Sequence, residues 1–236
     1  MRIEWSSGAR RLKPPMLSYV YMRILESRPR RYDTGIRLLS FGRSETCKRR
    51  IVADTITPGV RMLEIGVGTG TLALLAAEKG ASVLGFDVSA AMLDVAREKA
   101  ESTGMANRVE LRQMGVGQMD GLPAGSFDLV VATLVFSELS SDERVYALHE
   151  AFRVLNPEGT LVVADETKPR GLLRRVAYEL ARIPPAILAF VVTQTTTRTV
   201  EGLEELVRDA GFRITDVERS PWGAFLYLTA VKGVEV

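Results

Sequence analysis

A carboxylate, a run of glycines and a second carboxylate stand in this chain at a spacing that suits a ribose-containing ligand. The segment EIGVGTG covers residues 64–70, and Asp87 follows its last glycine by seventeen residues. Glycine lets the backbone approach a ligand closely and adopt dihedral angles that a Cβ forbids. The carboxylate of Asp87 can accept hydrogen bonds from two neighbouring ribose hydroxyls. The residues predicted to bind the ligand here are Glu64, Ile65, Gly66, Gly68, Thr69, Gly70 and Asp87.

The elements around these residues must hold both carboxylates at one edge of a sheet. An apolar strand is predicted at 61–65, the glycine turn opens a helix over 70–79, and a second strand at 82–87 ends on Asp87. Open α/β sheets bind their ligands beyond the carboxyl ends of the strands. The start of the helix adds free N–H groups and the positive end of the helix dipole, which attract a carboxylate or phosphate.

Strands and helices continue to alternate along the chain. Further strands are predicted at 108–113, 127–133 and 159–165, and further helices at 90–102, capped by Ser89, and at 142–155. This alternation predicts right-handed parallel crossovers with helices on both faces. Strands at 212–219 and 224–231 are joined by a short Ser-Pro-Trp-Gly connection, which predicts a terminal hairpin. The predicted fold class is α/β: a Rossmann-like, doubly wound, seven-stranded sheet, mostly parallel with one antiparallel edge strand.

One position distinguishes two classes of cofactor. A dinucleotide fold needs glycine or alanine five residues after Gly66, where this chain has Thr71. The pattern E-x-G-x-G-T-G, together with Asp87, resembles motif I and the following acidic residue of the class I S-adenosylmethionine (SAM)-dependent methyltransferases. The resemblance covers residues 58–165 closely. It implies SAM as the cofactor and S-adenosylhomocysteine (SAH) as its product.

The resemblance implies adenine contacts after the third strand. Many relatives carry Gly-Asp-Ala-Glu-x-Leu-Pro there, and the aspartate takes the adenine amino group; alignment on the Leu-Pro pair puts Gln118 at that position. A glutamine oxygen can still accept a hydrogen bond from the amine, and Met119 can offer a backbone N–H and an apolar face. Val88 and Met92 are expected either to pack on the adenine ring or to be ordinary core residues of the helix.

Two more cofactor contacts follow from the family pattern. The segment FDLVV at 127–131 matches the family's fourth strand, so Thr133 at the end of this strand is expected to face the methionine part of SAM. Tyr32 is expected to close over SAM, as the corresponding Tyr-Asp segment does in similar enzymes; otherwise it is a packing tyrosine.

Within the superfamily, the chain is most similar to the UbiE/quinone-methylase branch. Residues 26–36 and the segment TQTTT at 193–197 also resemble a subgroup of corrinoid-protein-associated methyltransferases. This finer resemblance implies a corrinoid protein as a partner.

The reaction that SAM supports sets what else the chain must provide. The sulfonium is already activated, so the protein mainly aligns a nucleophile with the S–CH3 bond. A hydroxyl or phenol acceptor also needs a general base within hydrogen-bond reach. Glu138 is the first candidate for this base or for a substrate anchor, against the alternative of a helix-capping or solvated role. The only histidine, His149, is predicted to lie on the helix surface, and no metal site is predicted.

Composition restricts the cellular setting. A single cysteine, Cys47, excludes an internal disulfide and favours a reducing compartment, so a cytoplasmic location is expected. No apolar run reaches the length of a transmembrane span, and the first fifteen residues lack the apolar region of a signal peptide.

Residues 1–50 carry thirteen Lys and Arg against four Asp and Glu, and the remainder carries eighteen against twenty-five. This basic segment is interpreted as a solvated face or a docking arm. Nucleic-acid binding is not expected because no binding module is recognisable.

The chain is predicted to divide into an N-terminal helical arm (1–57) and a methyltransferase domain (58–236). The arm should contain helices near 15–26, 32–41 and 44–56, and an apolar insert at 168–199 is expected to form a helical lid over the acceptor or to pack as core. The predicted activity is methyl transfer to a small-molecule or lipid-like acceptor. The alternatives are a catalytically weak SAM-binding partner of another protein and a membrane-surface lipid methylase.

Overall fold

A computed structural model of the protein describes residues 43–167, 200, 202–220 and 225–233. The predicted helices near 15–26 and 32–41, Tyr32 and the lid insert at 168–199 lie outside these residues. The division of the chain at residue 57 therefore stays a prediction. Within the described residues, no helix is both long and apolar enough to cross a bilayer.

The elements follow the predicted alternation. The helices are α1 (Arg43–Thr55), α2 (Thr71–Glu78), α3 (Ala90–Ser102), a 3-10 helix (Val116–Gly121), α4 (Ser141–Val154) and α5 (Leu203–Asp209). The strands are β1 (Arg61–Ile65), β2 (Ser82–Asp87), β3 (Val109–Gln113), β4 (Phe127–Thr133), β5 (Leu155–Glu166), β6 (Phe212–Arg219) and β7 (Phe225–Lys232).

The strands of the described chain form one sheet in the order β3-β2-β1-β4-β5-β7-β6. Strands β1 to β5 are parallel, and β7 runs antiparallel to both of its neighbours. The predicted mostly parallel sheet with an antiparallel hairpin at one edge is confirmed, with the reversed strand β7 next to the outermost strand β6. The chain moves outward from β1 to β3 and then returns to β4 on the other side of β1. In open α/β sheets such a reversal marks the crevice in which ligands bind. The cofactor crevice is therefore expected beyond the carboxyl ends of β1, β2 and β4, and is called the crevice below.

Alternation along the strands divides the core into two layers. Leu63 and Ile65 of β1 belong to the cluster that also contains Leu148 of α4 and Val207 of α5. Met62 belongs to the other cluster, which contains residues of α1, α2 and α3. Because successive strand residues point to opposite faces, Glu64 shares the face of Met62, under α1 and α2. Helices therefore cover both faces, as the doubly wound prediction requires.

Serine side chains cap the first turns of α3 and α4, the helices on either side of the crevice. Ser89 caps α3, and its Oγ accepts the N–H of Met92 at 3.3 Å. Ser140 and Glu143 form a reciprocal capping box at the start of α4: the Ser140 Oγ accepts the Glu143 N–H at 3.3 Å, and Glu143 Oε2 accepts the Ser140 N–H at 2.9 Å. These caps satisfy N–H groups that have no partner inside the helix.

The start of β5 differs from the prediction of a helix to 155 and a strand from 159. The strand begins at Leu155, which pairs with Phe127, and the next pair joins Thr160 to Leu129. The residues between them leave the regular ladder. Pro157 has no N–H to donate, and the side-chain amide of Asn156 instead donates to Asp128 at 2.6 Å. An irregular segment of this kind is invisible to a search for alternating apolar residues.

Helix α1 is fastened to the terminal hairpin by Arg50. The two Nη atoms of its guanidinium donate to both carboxylate oxygens of Glu218 on β6, and Arg50 Nε donates to Asp54 at 3.2 Å. The same group lies 4.6 Å from the centre of the Tyr227 ring on β7. The packing of α1 on α2 and these contacts fix α1 on the side of the sheet that carries Glu64. Lys48 of α1 is close enough for its charge to lower the pKa of Glu64.

Candidate active site

Asp87 joins two loops at the edge of the crevice. It is the last residue of β2, and its Oδ2 accepts the N–H of Gly68 while its Oδ1 accepts the N–H of Ser89, both at 2.9 Å. Burial raises the pKa of Asp87, and these N–H groups oppose that shift. Each carboxylate oxygen can accept a further hydrogen bond. The same carboxylate can therefore organise the protein and bind ligand hydroxyls.

The three glycines of the turn have different roles. All have positive φ: 69° at Gly66, 53° at Gly68 and 75° at Gly70. A Cβ at Gly66 would collide with the side chain of Val135, and one at Gly70 would lie 2.9 Å from the Cβ of Ala96. A Cβ at Gly68 would meet no atom within 4 Å. Gly66 and Gly70 are thus required by protein packing, whereas Gly68 borders open space beside Asp87.

The other loop residues hold the turn in place. Thr69 is buried, and its carbonyl accepts a hydrogen bond from Lys99 Nζ of α3 at 3.0 Å. Ile65 is fully buried in the core, so only its backbone remains for the predicted cofactor contact.

Glu64 is a buried carboxyl group with an unused oxygen. The side chain is 2% exposed, and it accepts the N–H of Ala73 in the first turn of α2. Its Oε2 has no hydrogen-bond partner among the described residues. Burial raises the pKa of Glu64 to about 8, although the charge of Lys48 acts in the opposite direction. An orphaned buried oxygen is costly, and a cation from a ligand would remove that cost. No pattern in the sequence indicates this effect of Lys48.

These groups fit the chemistry of SAM. Its amino group is a cation that suits Glu64 Oε2, its ribose hydroxyls suit the spare capacity of Asp87, and open space at Gly68 lets the backbone approach. The functional assignment of each of these residues stays a prediction.

Three of the predicted adenine contacts, Val88, Gln118 and Met119, lie in or beside the segment 114–122, which is called the adenine loop below. Val88 is 55% exposed, which excludes a core role for it, and its Cγ1 lies 3.4 Å from the ideal Cβ position of Gly115. Met92 is buried, as its alternative core role requires. Gln118 Oε1 accepts the N–H of Gly115 at 3.0 Å, leaving one lone pair for an amine. Met119 is fully buried, so its side chain offers no free apolar face, and only its backbone N–H remains for adenine.

The chain turns sharply after β4. Thr133 is half-buried at the strand end, and Leu134 has φ 57°, the one positive φ outside glycine among the described residues. A bulky residue in this region of φ is strained, and such residues cluster at functional sites. The Leu134 N–H donates to the carbonyl of Ala164 at 2.9 Å. This turn brings Val135 against Gly66. Nothing in the sequence indicates a positive φ at a leucine.

Glu138 lies on the loop between β4 and α4. Its side chain is accessible to solvent, yet the protein around it reduces its hydration and, with the negative charges of Asp87 and Asp165, raises its pKa to about 7. Asp165 at the end of β5 is fully buried and accepts the N–H of Ser137 at 3.2 Å, which ties the loop to the sheet. Ser140 caps α4, so the capping alternative for Glu138 is wrong.

Two further predictions concern His149 and a metal site. His149 is exposed on α4, as predicted. No group of three or more His, Cys, Asp and Glu side chains within the described ranges is arranged to hold a metal ion.

Comparison with known proteins identifies the family. The profile described as "Methyltransferase domain" matches residues 62–159. The chain is 40% identical over 145 residues to the phosphatidylethanolamine N-methyltransferase of Cereibacter sphaeroides, covering 61% of this chain and 70% of that protein. It is 38% identical over 160 residues to the demethylmenaquinone methyltransferase of Thermus thermophilus, covering 63% and 69%. The chain belongs to the class I SAM-dependent methyltransferases. Its similarity to demethylmenaquinone methyltransferases places this methyltransferase in the UbiE-like branch, and its cofactor is SAM.

Solved structures agree on the fold of the methyltransferase. The magnesium protoporphyrin IX methyltransferase ChlM of Synechocystis with bound SAH superposes with a TM-score of 0.62 at 20% identity, covering 84% of this chain and 85% of that one. The [4+2]-cyclase SpnF gives 0.63 at 22% identity, covering 81% and 82%. None of the proteins named here is described as corrinoid-protein-associated, so a corrinoid-protein partner gains no support from them.

Comparison of Gly68→Ala with a control glycine should distinguish a loss of ligand binding from the effect of backbone strain. The new Cβ would occupy the open space beside Asp87, so we expect the Kd for SAH, measured by calorimetry, to rise about tenfold or more. Gly104→Ala is the control: its φ is 71° and its surroundings are also empty, so it carries a similar strain of about 1 kcal/mol. Equal SAH affinity in the two variants would contradict the role of Gly68.

Glu64→Gln should change how stability depends on pH. The carboxyl pKa is raised from 4.5 to about 8 in the folded protein, so its contribution to stability is fully present below pH 4.5 and is lost as pH rises through 8. The ligand-free wild type should therefore lose several degrees of melting temperature relative to the variant between pH 5 and pH 9. Glu101→Gln, an exposed change on α3, should follow the wild type. Parallel curves for Glu64→Gln and the wild type would show that Glu64 is not buried as an acid.

Proposed function

We propose that this methyltransferase transfers the methyl group of SAM to a small or lipid-like acceptor, and that Glu138 removes a proton from that acceptor. Bound SAM supplies a methyl group already activated on a sulfonium. The protein must then align the acceptor, exclude water and accept the proton that the acceptor loses. The observation that carries the proposal is the position of Glu138 beside the cofactor crevice with a pKa near neutrality.

The connection between Glu138 and the crevice runs through its own loop. The loop leaves β4 at the strained Leu134, and Val135 then packs against the glycine turn. The Glu138 N–H donates to the Val135 carbonyl at 2.9 Å, which fixes the residue one short turn later. The negative charge of Asp87 raises the pKa of the Glu138 side chain. This arrangement supports a carboxyl group close to the place where a donor bound at Asp87 and an acceptor would meet.

The protonation behaviour of Glu138 suits a base. A general base is most effective when its pKa lies near the working pH, because it is then substantially ionised and still binds a proton well. Asp165 accepts the N–H of Ser137, which ties the residue before Glu138 to the end of β5. No histidine is available on this loop.

The choice of acceptor draws on the relatives. The two proteins named above are described as methylating phosphatidylethanolamine and demethylmenaquinone. Both acceptors are lipids with a polar head that carries an ionisable proton, an ammonium in one and, in the reduced quinone, a ring hydroxyl. We propose this shared class for the present chain: a lipid-like molecule whose head group first passes a proton to Glu138. The lone pair that this frees lets the amine nitrogen, or a ring carbon of the phenolate, take the methyl group as the S–CH3 bond breaks and SAH is released. Where a ring carbon is methylated, that carbon then loses its own proton to water and the ring oxygen is protonated again, which restores the aromatic ring.

The alternatives have less support. A silent SAM-binding partner is not favoured by relatives that are described as methyltransferases. A membrane-surface enzyme would depend on the basic segment at the N-terminus, and most of that segment lies outside the described residues. The cytoplasmic location remains a prediction.

The test measures the turnover of short-chain phosphatidylethanolamine and of a short-chain reduced demethylmenaquinone. Turnover is quantified by the amount of SAH that forms. We expect turnover with at least one of them and a fall of about 10² to 10⁴ in kcat for Glu138→Gln. The wild-type kcat should rise as pH passes through 7, since the base must be ionised, and the variant should lack this rise.

Glu101→Gln is the matched control and should keep wild-type kcat and its pH profile, because Glu101 lies on the exposed side of α3. An unchanged kcat in Glu138→Gln would exclude Glu138 as the base. Normal SAM binding without turnover of either lipid would exclude the proposed acceptor class.

A further inference from the structure

Arg153, near the end of α4, donates hydrogen bonds to the backbone of the adenine loop. Its Nη1 donates to the carbonyl of Leu122 at 2.8 Å, and its Nη2 donates to the carbonyl of Met119 at 2.9 Å. The carbonyl of Arg153 itself accepts the N–H of Gly125 at 3.1 Å. Arg153 therefore binds two carbonyls of the adenine loop through its side chain. Its own carbonyl binds an N–H of the segment that follows the loop.

An ion pair with Glu150 fixes the orientation of the Arg153 guanidinium. Glu150, three residues earlier on α4, accepts from Arg153 Nε at 3.0 Å and from Nη2 at 2.6 Å. The Glu150 side chain is 13% exposed, so this pair is better shielded from water than an ordinary surface pair. A planar guanidinium held on one edge by a carboxylate presents its remaining donors in a fixed direction. A lysine at this position would have a single ammonium nitrogen and could not present two separate donors in fixed directions, as the forked guanidinium does.

The adenine loop depends on support from outside. Three of its nine residues are glycine, at 115, 117 and 121, and glycine leaves the backbone free to adopt many conformations. Residues 117, 118, 120 and 121 are exposed. The apolar anchors Val116, Met119 and Leu122 hold the inner side of the loop. Arg153 adds a directional constraint on the peptide groups, which apolar packing alone does not supply.

This constraint acts on the groups predicted to recognise adenine. Fixing the Met119 and Leu122 carbonyls orients the short 3-10 helix that carries Gln118 and the Met119 N–H. Adenine offers an amino donor next to a ring-nitrogen acceptor, and its deaminated form, hypoxanthine, offers an oxygen acceptor next to an N–H donor. A loop held at one position accepts the first pattern and leaves its polar groups unpaired against the second.

We propose that Arg153 is a positioning residue that sets the selectivity of the cofactor site for adenine, and this inference rests on the predicted adenine role of Gln118 and Met119. It acts through the backbone of the adenine loop and touches no reacting atom.

The test compares the calorimetric Kd of SAH with that of its deaminated analogue, S-inosylhomocysteine. We expect the wild type to prefer SAH by about tenfold or more. In Arg153→Lys the preference should fall to about threefold or less, because the fork is lost while the charge remains. Arg97→Lys is the control, since Arg97 forms an exposed pair with Asp94 on α3, and it should keep the wild-type ratio.

Glu150→Gln provides a second variant that keeps Arg153 and weakens only its support, and it should give an intermediate ratio even if Arg153→Lys does not fold. Weaker binding of both ligands with an unchanged ratio would overturn the proposal, since a purely structural role lowers both affinities alike. A wild type without preference would overturn it as well, by removing the adenine assignment. Neither result bears on Glu138 or the lipid-like acceptor, which are tested by turnover.

Discussion

The carboxylate of Asp87 is the point at which the sheet, the glycine turn and helix α3 meet. By accepting the N–H groups of Gly68 and Ser89, it fixes the first loop relative to the start of the helix after β2. Backbone N–H groups left unpaired in a partly buried place are costly, so the turn and the helix start must stay in register with β2. The open space at Gly68 then lies beside a carboxylate whose position is already determined, and ligand binding needs little reorganisation of these groups.

Negative charges of the crevice raise the pKa of neighbouring carboxyl groups. Asp87 contributes to the raised pKa of Glu64 and of Glu138, and Asp165 contributes to that of Glu138. They come from the ends of β1, β2 and β5 and from the loop after β4, which the sheet order brings to one edge. Packing carboxyl groups together is unfavourable in the ligand-free protein. A ligand that carries a sulfonium and an ammonium reverses this cost, so the site is better matched to SAM than to an uncharged ligand.

The sequence predicts those parts of the fold that local chemistry determines. The bounds of β1, β2, β4 and β6 and the Ser89 cap are confirmed to the residue, because alternation, glycine and capping serine act over a few positions. The early start of β5 was missed because its pairing with Phe127 depends on a partner strand. The positive φ of Leu134 and the contacts of Arg153 were missed for the same reason: both depend on groups distant in the chain. The residues of the cofactor site can be predicted from the sequence because their motif is local, and their roles stay predictions. The placement of the loop that carries Glu138 and the support of the adenine loop by Arg153 are tertiary features.

The most direct test of this account is calorimetric titration of SAH into the wild type, Asp87→Ala and Asp94→Ala, the last being an exposed aspartate on α3 that pairs only with Arg97 among the described residues. Each charge-assisted hydrogen bond lost with Asp87 is worth about 1.5–3 kcal/mol. We therefore expect Asp87→Ala to weaken SAH binding by at least about tenfold, and Asp94→Ala to bind SAH as the wild type does. Equal affinity in all three proteins, or no binding by the wild type, would contradict it.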